Sequence, residues 1–233
     1  MTGTLYGVGL GPGDPELMTL KADRLIREAK VVAYPALVEG DSFARSIAAA
    51  AIPETAREIR IEVPMTPARA PAQAAYDSAA EDIAQTLSDG HDVVCLCEGD
   101  PFFYGSFMYL HARLADRFDV QVVPGVTSMT ACAARAARPL VARNEVLTVL
   151  PGPLPEDTLY ARLEEADTVV IMKVGRHITK IRRVLTHAGL AAQARYLERA
   201  TLPAERAMPL ADAPDPAPYF SMILVTKGAD PWL

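Results

Sequence analysis

The segment Glu98-Gly99-Asp100-Pro101-Phe102-Phe103-Tyr104-Gly105 sets two carboxylates and three aromatic rings between flexible glycines. Carboxylates there accept hydrogen bonds from hydroxyls or amines, and Gly99 lets backbone come close to a ligand. The rings add apolar surface. Such a turn suits a small molecule that carries hydroxyls, a positive charge and a flat ring. The same residues also suit a helix start, with Asp100 as N-cap and Pro101 after it. The two uses are compatible.

A second glycine-rich turn is Gly7-Val8-Gly9-Leu10-Gly11-Pro12-Gly13-Asp14. It lacks the spacing of a dinucleotide fingerprint, because no glycine stands three beyond Gly9 or Gly11. Pro12 removes an amide that could meet a phosphate, and the next strand ends in Tyr34-Pro35 where an acidic residue would be needed to hold a ribose. The segment reads as a bend where a large flat ligand lies on bare backbone, or as a tight strand-to-helix turn and nothing more. In Pro124-Gly125-Val126-Thr127-Ser128 the small hydroxyl residues stand at a helix start, as caps or as contacts for a polar edge.

Basic residues are segregated. Between Thr168 and Leu197 there is no acid, but Lys173, Arg176, Lys180, Arg182, Arg183 and Arg195 occur; between Val120 and Asn144 only Arg135, Arg138 and Arg143 are charged. Arginine forks match carboxylates in a bidentate way, so these stretches suggest a surface for a ligand with many carboxylates, or an ordinary solvated face. His91, His111, His177 and His187 are scattered, and neither HExxH, GxSxG nor a Walker-type loop occurs. Hydrolase and kinase chemistry is disfavoured, and no metal-ligand set is visible.

The elements that must position these loops alternate between short apolar runs and amphipathic ones. Strands are expected at Leu5–Leu10, Val31–Tyr34, Ile59–Val63, Val93–Cys97 and Val120–Val123. Helices are expected at Pro15–Glu28 with Asp14 as cap, Ser42–Ala51, Ala72–Ser88 and Gly105–Arg117. This is the pattern of a parallel α/β domain, with ligands at the carboxyl ends of its strands. In the second half the spacing predicts strands at Val146–Leu150, Thr168–Lys173, Arg195–Leu197 and Ser221–Thr226, and helices at Glu156–Glu165 and Arg176–His187. The Pro-rich stretches Pro151–Pro155 and Pro203–Pro218 read as loops.

The chain has 233 residues, half of them hydrophobic, and a formal net charge of −6. That balance argues against non-specific nucleic-acid binding, which needs a basic surface. Cys95, Cys97 and Cys132 are too few for a disulfide framework, and Cys95 and Cys97 would share one face of a strand as small buried hydrophobes. No apolar run is long enough to span a bilayer, and the N-terminus lacks a basic start followed by an apolar stretch. A cytoplasmic protein without a membrane partner is expected.

Five strings carry a resemblance: LYGVGLGPGDPEL at Leu5–Leu17, Pro64-Met65-Thr66, LCEGDPFFYGSF at Leu96–Phe107, MKVGR at Met172–Arg176 and PYFS at Pro218–Ser221. Together they resemble the tetrapyrrole methylase family, the S-adenosylmethionine (SAM) enzymes of sirohaem and cobalamin biosynthesis, from Leu5 to Thr226. GPGD, the GDP turn and PGxTS are the general family pattern; the longer strings look like its branch that methylates C20 of precorrin-2. The resemblance implies two α/β domains, residues 1–124 on a mainly parallel sheet and 125–233 on a mixed sheet, with an active-site trough between them, in a homodimer. By motif position it implies SAM contacts from Pro12, Glu98, Gly99, Asp100, Phe103, Thr127, Ser128 and Met172, with Ala200, Thr201, Phe220 and Ser221 from a looser alignment. Gly9, Gly11, Asp14, Tyr104, Lys173 and Arg176 are the implied contacts for the tetrapyrrole. Many relatives have glycine where this chain has Glu98, which leaves open whether that side chain meets SAM or substrate. No catalytic residue is assigned; Asp14 and Asp100 are candidates by position for taking the proton that C20 must lose. The rival readings are a sister activity on the cobalt-bearing analogue, a nicotinamide-dependent oxidoreductase, and a carrier that binds the tetrapyrrole without turning it over.

Overall fold

A strand that is apolar at every position must be covered on both faces. Val93–Cys97 meets that condition: Val93, Cys95 and Cys97 enter one core cluster, and Val94 and Leu96 enter another. In the computed structural model, which describes residues 1–64 and 69–228, the first unit of the chain, Met1–Thr127, is built around this strand. Its strands are β1 (Leu5–Gly9), β2 (Val31–Ala36), β3 (Arg57–Glu62), β4 (Val93–Cys97) and β5 (Val120–Val123). They lie in the order β3-β2-β4-β1-β5, every pairing parallel. On one face pack α1 (Leu20–Arg27) and α2 (Phe43–Ala48), through Ala22, Ile26, Ala44 and Ile47. On the other pack α3 (Arg69–Ser88) and α4 (Phe107–Leu114), through Ile83, Leu87, Phe107 and Leu110.

The second unit begins at Ser128 and holds a mixed sheet. Its strands are β6 (Leu147–Pro151), β7 (Thr168–Met172), β8 (Ala194–Glu198), β9 (Arg206–Pro209) and β10 (Ser221–Thr226), in the order β6-β7-β10-β8-β9. Only β6 and β7 pair in parallel; β10 runs against both its neighbours and is buried along its whole length. Helix α5 (Ser128–Arg135) covers one face through Cys132. Helices α6 (Glu156–Glu165) and α7 (Ile178–His187) cover the other with Leu159, Leu163, Ile181 and Leu185.

Three expectations need correction. The helix expected over Pro15–Glu28 is two pieces, because two caps compete. Asp14 accepts the amide of Glu16 and closes a short 3-10 turn, Pro15–Leu17; Met18 is extended, and the Thr19 hydroxyl then caps α1 by accepting the amide of Ala22. Residues 176–187 likewise open as a 3-10 turn before α7. The stretch expected as a loop at Pro203–Pro218 contains β9, an exposed edge strand where proline costs no ladder bond. The Met65-Thr66 part of one motif lies outside the described residues.

Beside α2 the first sheet carries one strong ion pair. The Glu58 carboxylate accepts the Tyr34 hydroxyl at 2.6 Å and the Arg45 guanidinium at 2.6 and 2.8 Å. The Arg45 fork holds the Glu58 carboxyl at about 2, below its ordinary 4.5, against the opposing effect of burial. A depressed carboxyl pKa stabilises the fold above the ordinary value, and that gain is lost as pH falls through the folded one. The stability difference between wild type and Glu58→Gln in urea unfolding should therefore be full at neutral pH and shrink as pH falls from about 4.5 to about 2. A difference that does not change with pH would contradict this.

Candidate functional site

All strands of the first sheet run the same way, so their carboxyl ends share one edge, and β1 lies between β4 and β5. The loops after these three strands are therefore neighbours. Gly11 and Gly99 exchange backbone hydrogen bonds, the Gly99 amide donating at 2.7 Å and the Gly11 amide at 3.2 Å. Next to them Gly9 and Gly125 touch backbone to backbone. A Cβ on Gly125 would lie 2.1 Å from the Gly99 carbonyl oxygen, and one on Gly9 would lie 2.6 Å from the Gly125 nitrogen. Gly7 answers to a different neighbour, since a Cβ there would fall 2.3 Å from the Phe107 ring. The alternating glycines thus allow loops and a ring to pack where side chains have no room.

Asp100 stands at this crossing. Its Oδ1 accepts the amides of Phe102 at 2.9 Å and Phe103 at 3.1 Å, and its Oδ2 accepts that of Gly125 at 3.0 Å. One carboxylate thus shapes its own turn and ties it to the loop 25 residues further on. The cap belongs to the turn and not to α4, which starts only at Phe107 after Ser106. With each oxygen engaged by an amide, Asp100 holds structure. Asp14, the other acid considered for proton transfer, caps its 3-10 turn by accepting the amide of Glu16 at 2.9 Å.

Gly99 has φ +63°, and a Cβ added to it would meet nothing nearer than the Val126 carbonyl at 4.0 Å, so the turn presents bare backbone on that side. Phe103 and Pro12 are half-buried, and Tyr104 is exposed with a left-handed backbone. Burial pushes the Glu98 carboxyl above its ordinary range, against the opposing effect of the backbone at Glu98 itself and at Ala44 in the first turn of α2. Thr127 closes the first unit and is half-buried.

In the second unit the residues Met172, Ala200, Thr201, Phe220 and Ser221 come to one edge of the mixed sheet. Met172 ends β7 and faces Met222 of β10, while Ser221 begins β10 opposite Glu198, the last residue of β8. The Arg199 amide donates to the Phe220 carbonyl at 2.8 Å, and the Ser221 hydroxyl to the Pro218 carbonyl at 2.6 Å. Ser128 is the first residue of α5. Two acids at this edge escape the sequence reading. Glu198, only 2% exposed, accepts the Tyr196 hydroxyl at 2.7 Å, Arg199 at 3.1 Å and Arg206 at 3.4 Å. Glu205 accepts the Thr201 amide at 2.6 Å and Arg135 at 2.7 and 2.8 Å. The available signal was an acid closing an apolar strand, and another four residues after Thr201.

The acid-free basic stretches do not persist as a free cationic face, because several of their cations find partners distant in the sequence. Arg135 meets Glu205 and Arg183 meets Glu156. Arg138, Lys180 and Arg182 donate to the carbonyls of Gln193, Leu154 and Ala213. Arg176 is exposed beside His177, whose pKa is lowered by burial and then by the charges of Lys180 and Arg176. Lys173 is exposed, with a left-handed backbone at the end of β7.

The family model described as Tetrapyrrole (Corrin/Porphyrin) Methylases matches residues 4–214. The cobalamin biosynthesis protein CobIJ of Mycobacterium tuberculosis is 45% identical over 235 residues; the match takes in 97% of this chain and 46% of that protein, so the chain spans about half its length. The precorrin-2 C(20)-methyltransferase of Sinorhizobium is 43% identical over 237 residues, covering 98% of this chain and 97% of that protein. Among solved structures, uroporphyrin-III C-methyl transferase from Thermus thermophilus complexed with S-adenosyl homocysteine matches with a TM-score of 0.68 at 27% identity, over 97% of this chain and 92% of that one.

Removing the Asp100 carboxylate leaves three amides without their acceptor. Asp100→Ala should lower the unfolding free energy of the ligand-free protein by about 2–3 kcal/mol in urea titration. A change within about 0.5 kcal/mol, the range of an ordinary surface substitution, would show that the crossing does not depend on it.

Proposed function

Because the chain belongs to the tetrapyrrole methylase family, we propose that it is a SAM-dependent methyltransferase that methylates C20 of precorrin-2, giving precorrin-3A and S-adenosylhomocysteine in cobalamin biosynthesis. The observation that carries this reading is the likeness to the Sinorhizobium enzyme along nearly the whole of both chains. The turn after β4 supports it. Bare backbone at Gly99, a half-buried ring at Phe103 and the acceptors gathered there suit a ligand with an adenine, ribose hydroxyls and a cationic sulfonium. In this reading Pro12, Glu98, Gly99, Asp100, Phe103 and Thr127 form the SAM contacts of the first unit. Ser128, Met172, Ala200, Thr201, Phe220 and Ser221 form those of the second. Gly9, Gly11, Asp14, Tyr104, Lys173 and Arg176 are assigned to the tetrapyrrole, the glycines through the shape they give the loop.

SAM, when bound, supplies a methyl group already activated on its sulfonium. The meso carbon of a reduced tetrapyrrole is electron-rich, so the work left to the protein is alignment. Holding carbon, methyl and sulfur in line at near-contact distance contributes several kcal/mol. Asp100 serves that end by keeping its turn in one shape. We assign it to that task and not to the proton that C20 must then lose. The basic side chains Lys173 and Arg176 are assigned to substrate carboxylates, which guanidinium forks bind in a bidentate way. A cytoplasmic location is part of the same proposal and accords with three free, buried cysteines; a homodimer is carried by the family resemblance alone.

The test is incubation with SAM and precorrin-2 followed by mass spectrometry, where a gain of one methyl is expected. Parallel runs with metal-free and cobalt-bearing substrate decide between the sister activities, and no gain with either would refute the reading. In the same assay Arg176→Glu should raise KM for the tetrapyrrole about tenfold, the equivalent of one charge-assisted contact, while SAM affinity holds. An unchanged KM would remove Arg176 from the substrate site.

A further inference from the structure

Left-handed backbone at a residue with a Cβ is costly, and it persists only where the surroundings hold it. Among the described residues seven non-glycine positions have positive φ, and four of them, Tyr104, Lys173, Arg199 and Thr201, fall in loops assigned above to ligand contacts. The turn after β8 carries two: Arg199 at φ 50° and Thr201 at φ 72°, on either side of the buried Ala200. Thr201 is the more strained, since a β-branched side chain tolerates this region least. Such strain concentrates where a preset shape serves binding.

A buried acid, Glu198, and a half-buried one, Glu205, hold the turn at its ends. At its entry Glu198 takes the Arg199 guanidinium at 3.1 Å, and the Arg199 amide is fixed to the Phe220 carbonyl at 2.8 Å. At its exit Glu205 accepts the Thr201 amide at 2.6 Å, a short charge-assisted bond that sets the direction of the strained peptide. The Glu205 side chain is 16% exposed, and its charge is balanced by Arg135, the last residue of α5, which is 56% exposed. The chain closes the bend with the Leu202 amide on the Arg199 carbonyl at 2.9 Å and the Glu205 amide on the Leu202 carbonyl at 3.0 Å. Glu198 is too deeply buried among charges to be changed without harm to the core. Glu205 lies nearer the surface and acts on one peptide.

We propose that Glu205, with Arg135 behind it, is a positioning residue for SAM: it holds the Arg199–Thr201 turn in its left-handed conformation, and the cofactor meets the backbone of that preset turn. This rests on the reading of Ala200 and Thr201 as SAM contacts. Without the Glu205 carboxylate the turn relaxes towards ordinary backbone, and binding must then order it again, so affinity falls while the fold remains.

The test is calorimetric titration of S-adenosylhomocysteine into wild type, Glu205→Ala and Glu205→Gln. Glu205→Ala should raise Kd about tenfold with unchanged stoichiometry. Glu205→Gln keeps an acceptor for the Thr201 amide but loses the charge, so it should raise Kd about threefold. A purely structural residue would lower the melting temperature or the active fraction and leave Kd alone, so a wild-type Kd in Glu205→Ala overturns the proposal. Should that variant not fold, Arg135→Ala, at the exposed end of the pair, must show a rise of about threefold, and a wild-type Kd there overturns it equally. If wild type itself fails to bind S-adenosylhomocysteine, the SAM reading falls first and this inference with it.

Discussion

One carboxylate governs the edge of the first unit where its strands end. Asp100 binds the turn that follows β4 and, through the Gly125 amide, the loop that follows β5, while Gly99 is bonded to Gly11 in the loop that follows β1. Loops from three strands are thus locked at a single crossing. The lock works only with bare backbone, because Gly9 and Gly125 meet each other and the Gly99 carbonyl at distances where no Cβ fits. Remove the charge or fill the gap, and three loops lose their common reference. A rigid frame of this kind lets a ligand be recognised by backbone shape, at little entropic cost on binding.

The second unit solves the same problem by other means. Its edge residues come from antiparallel strands, so neighbouring ends of β7, β8 and β10 meet without a shared direction. Strained turns replace the glycine crossing, and the acids Glu198 and Glu205 replace the backbone bridge. Glu198 takes Arg206, the Tyr196 hydroxyl and the Arg199 side chain of the turn, while Glu205 takes Arg135 and the Thr201 amide. Most of the basic residues that look like a polyanion surface in the sequence serve such internal ties. Lys173 and Arg176, at the end of β7 and just beyond it, are exposed.

Legibility in the sequence followed the range of the interactions. The bounds of β4, β5, β10 and α6 are readable, because short, mainly apolar runs or a Pro-flanked amphipathic run dictate them locally. The split at Met18 is not, because it depends on the competition of Asp14 and Thr19 as caps, each adequate alone. Strand β9 hides behind its prolines, which are harmless at a sheet edge. At the candidate site, residue types single out the turn Glu98–Phe103, but not that Asp100 spends its oxygens on three amides, one of them 25 residues away. Nor does pattern reveal that Glu205 props up Thr201. Long-range partners of this sort leave no period to read.

A crystal structure of the chain grown with S-adenosylhomocysteine tests the central claim most directly. The account predicts the adenosyl group against the Gly99 backbone and the Phe103 ring, with the Asp100 carboxylate still holding the amides of Phe102, Phe103 and Gly125. A ligand bound away from the turn after β4, or an Asp100 that lets go of Gly125 to bind it, would contradict the account.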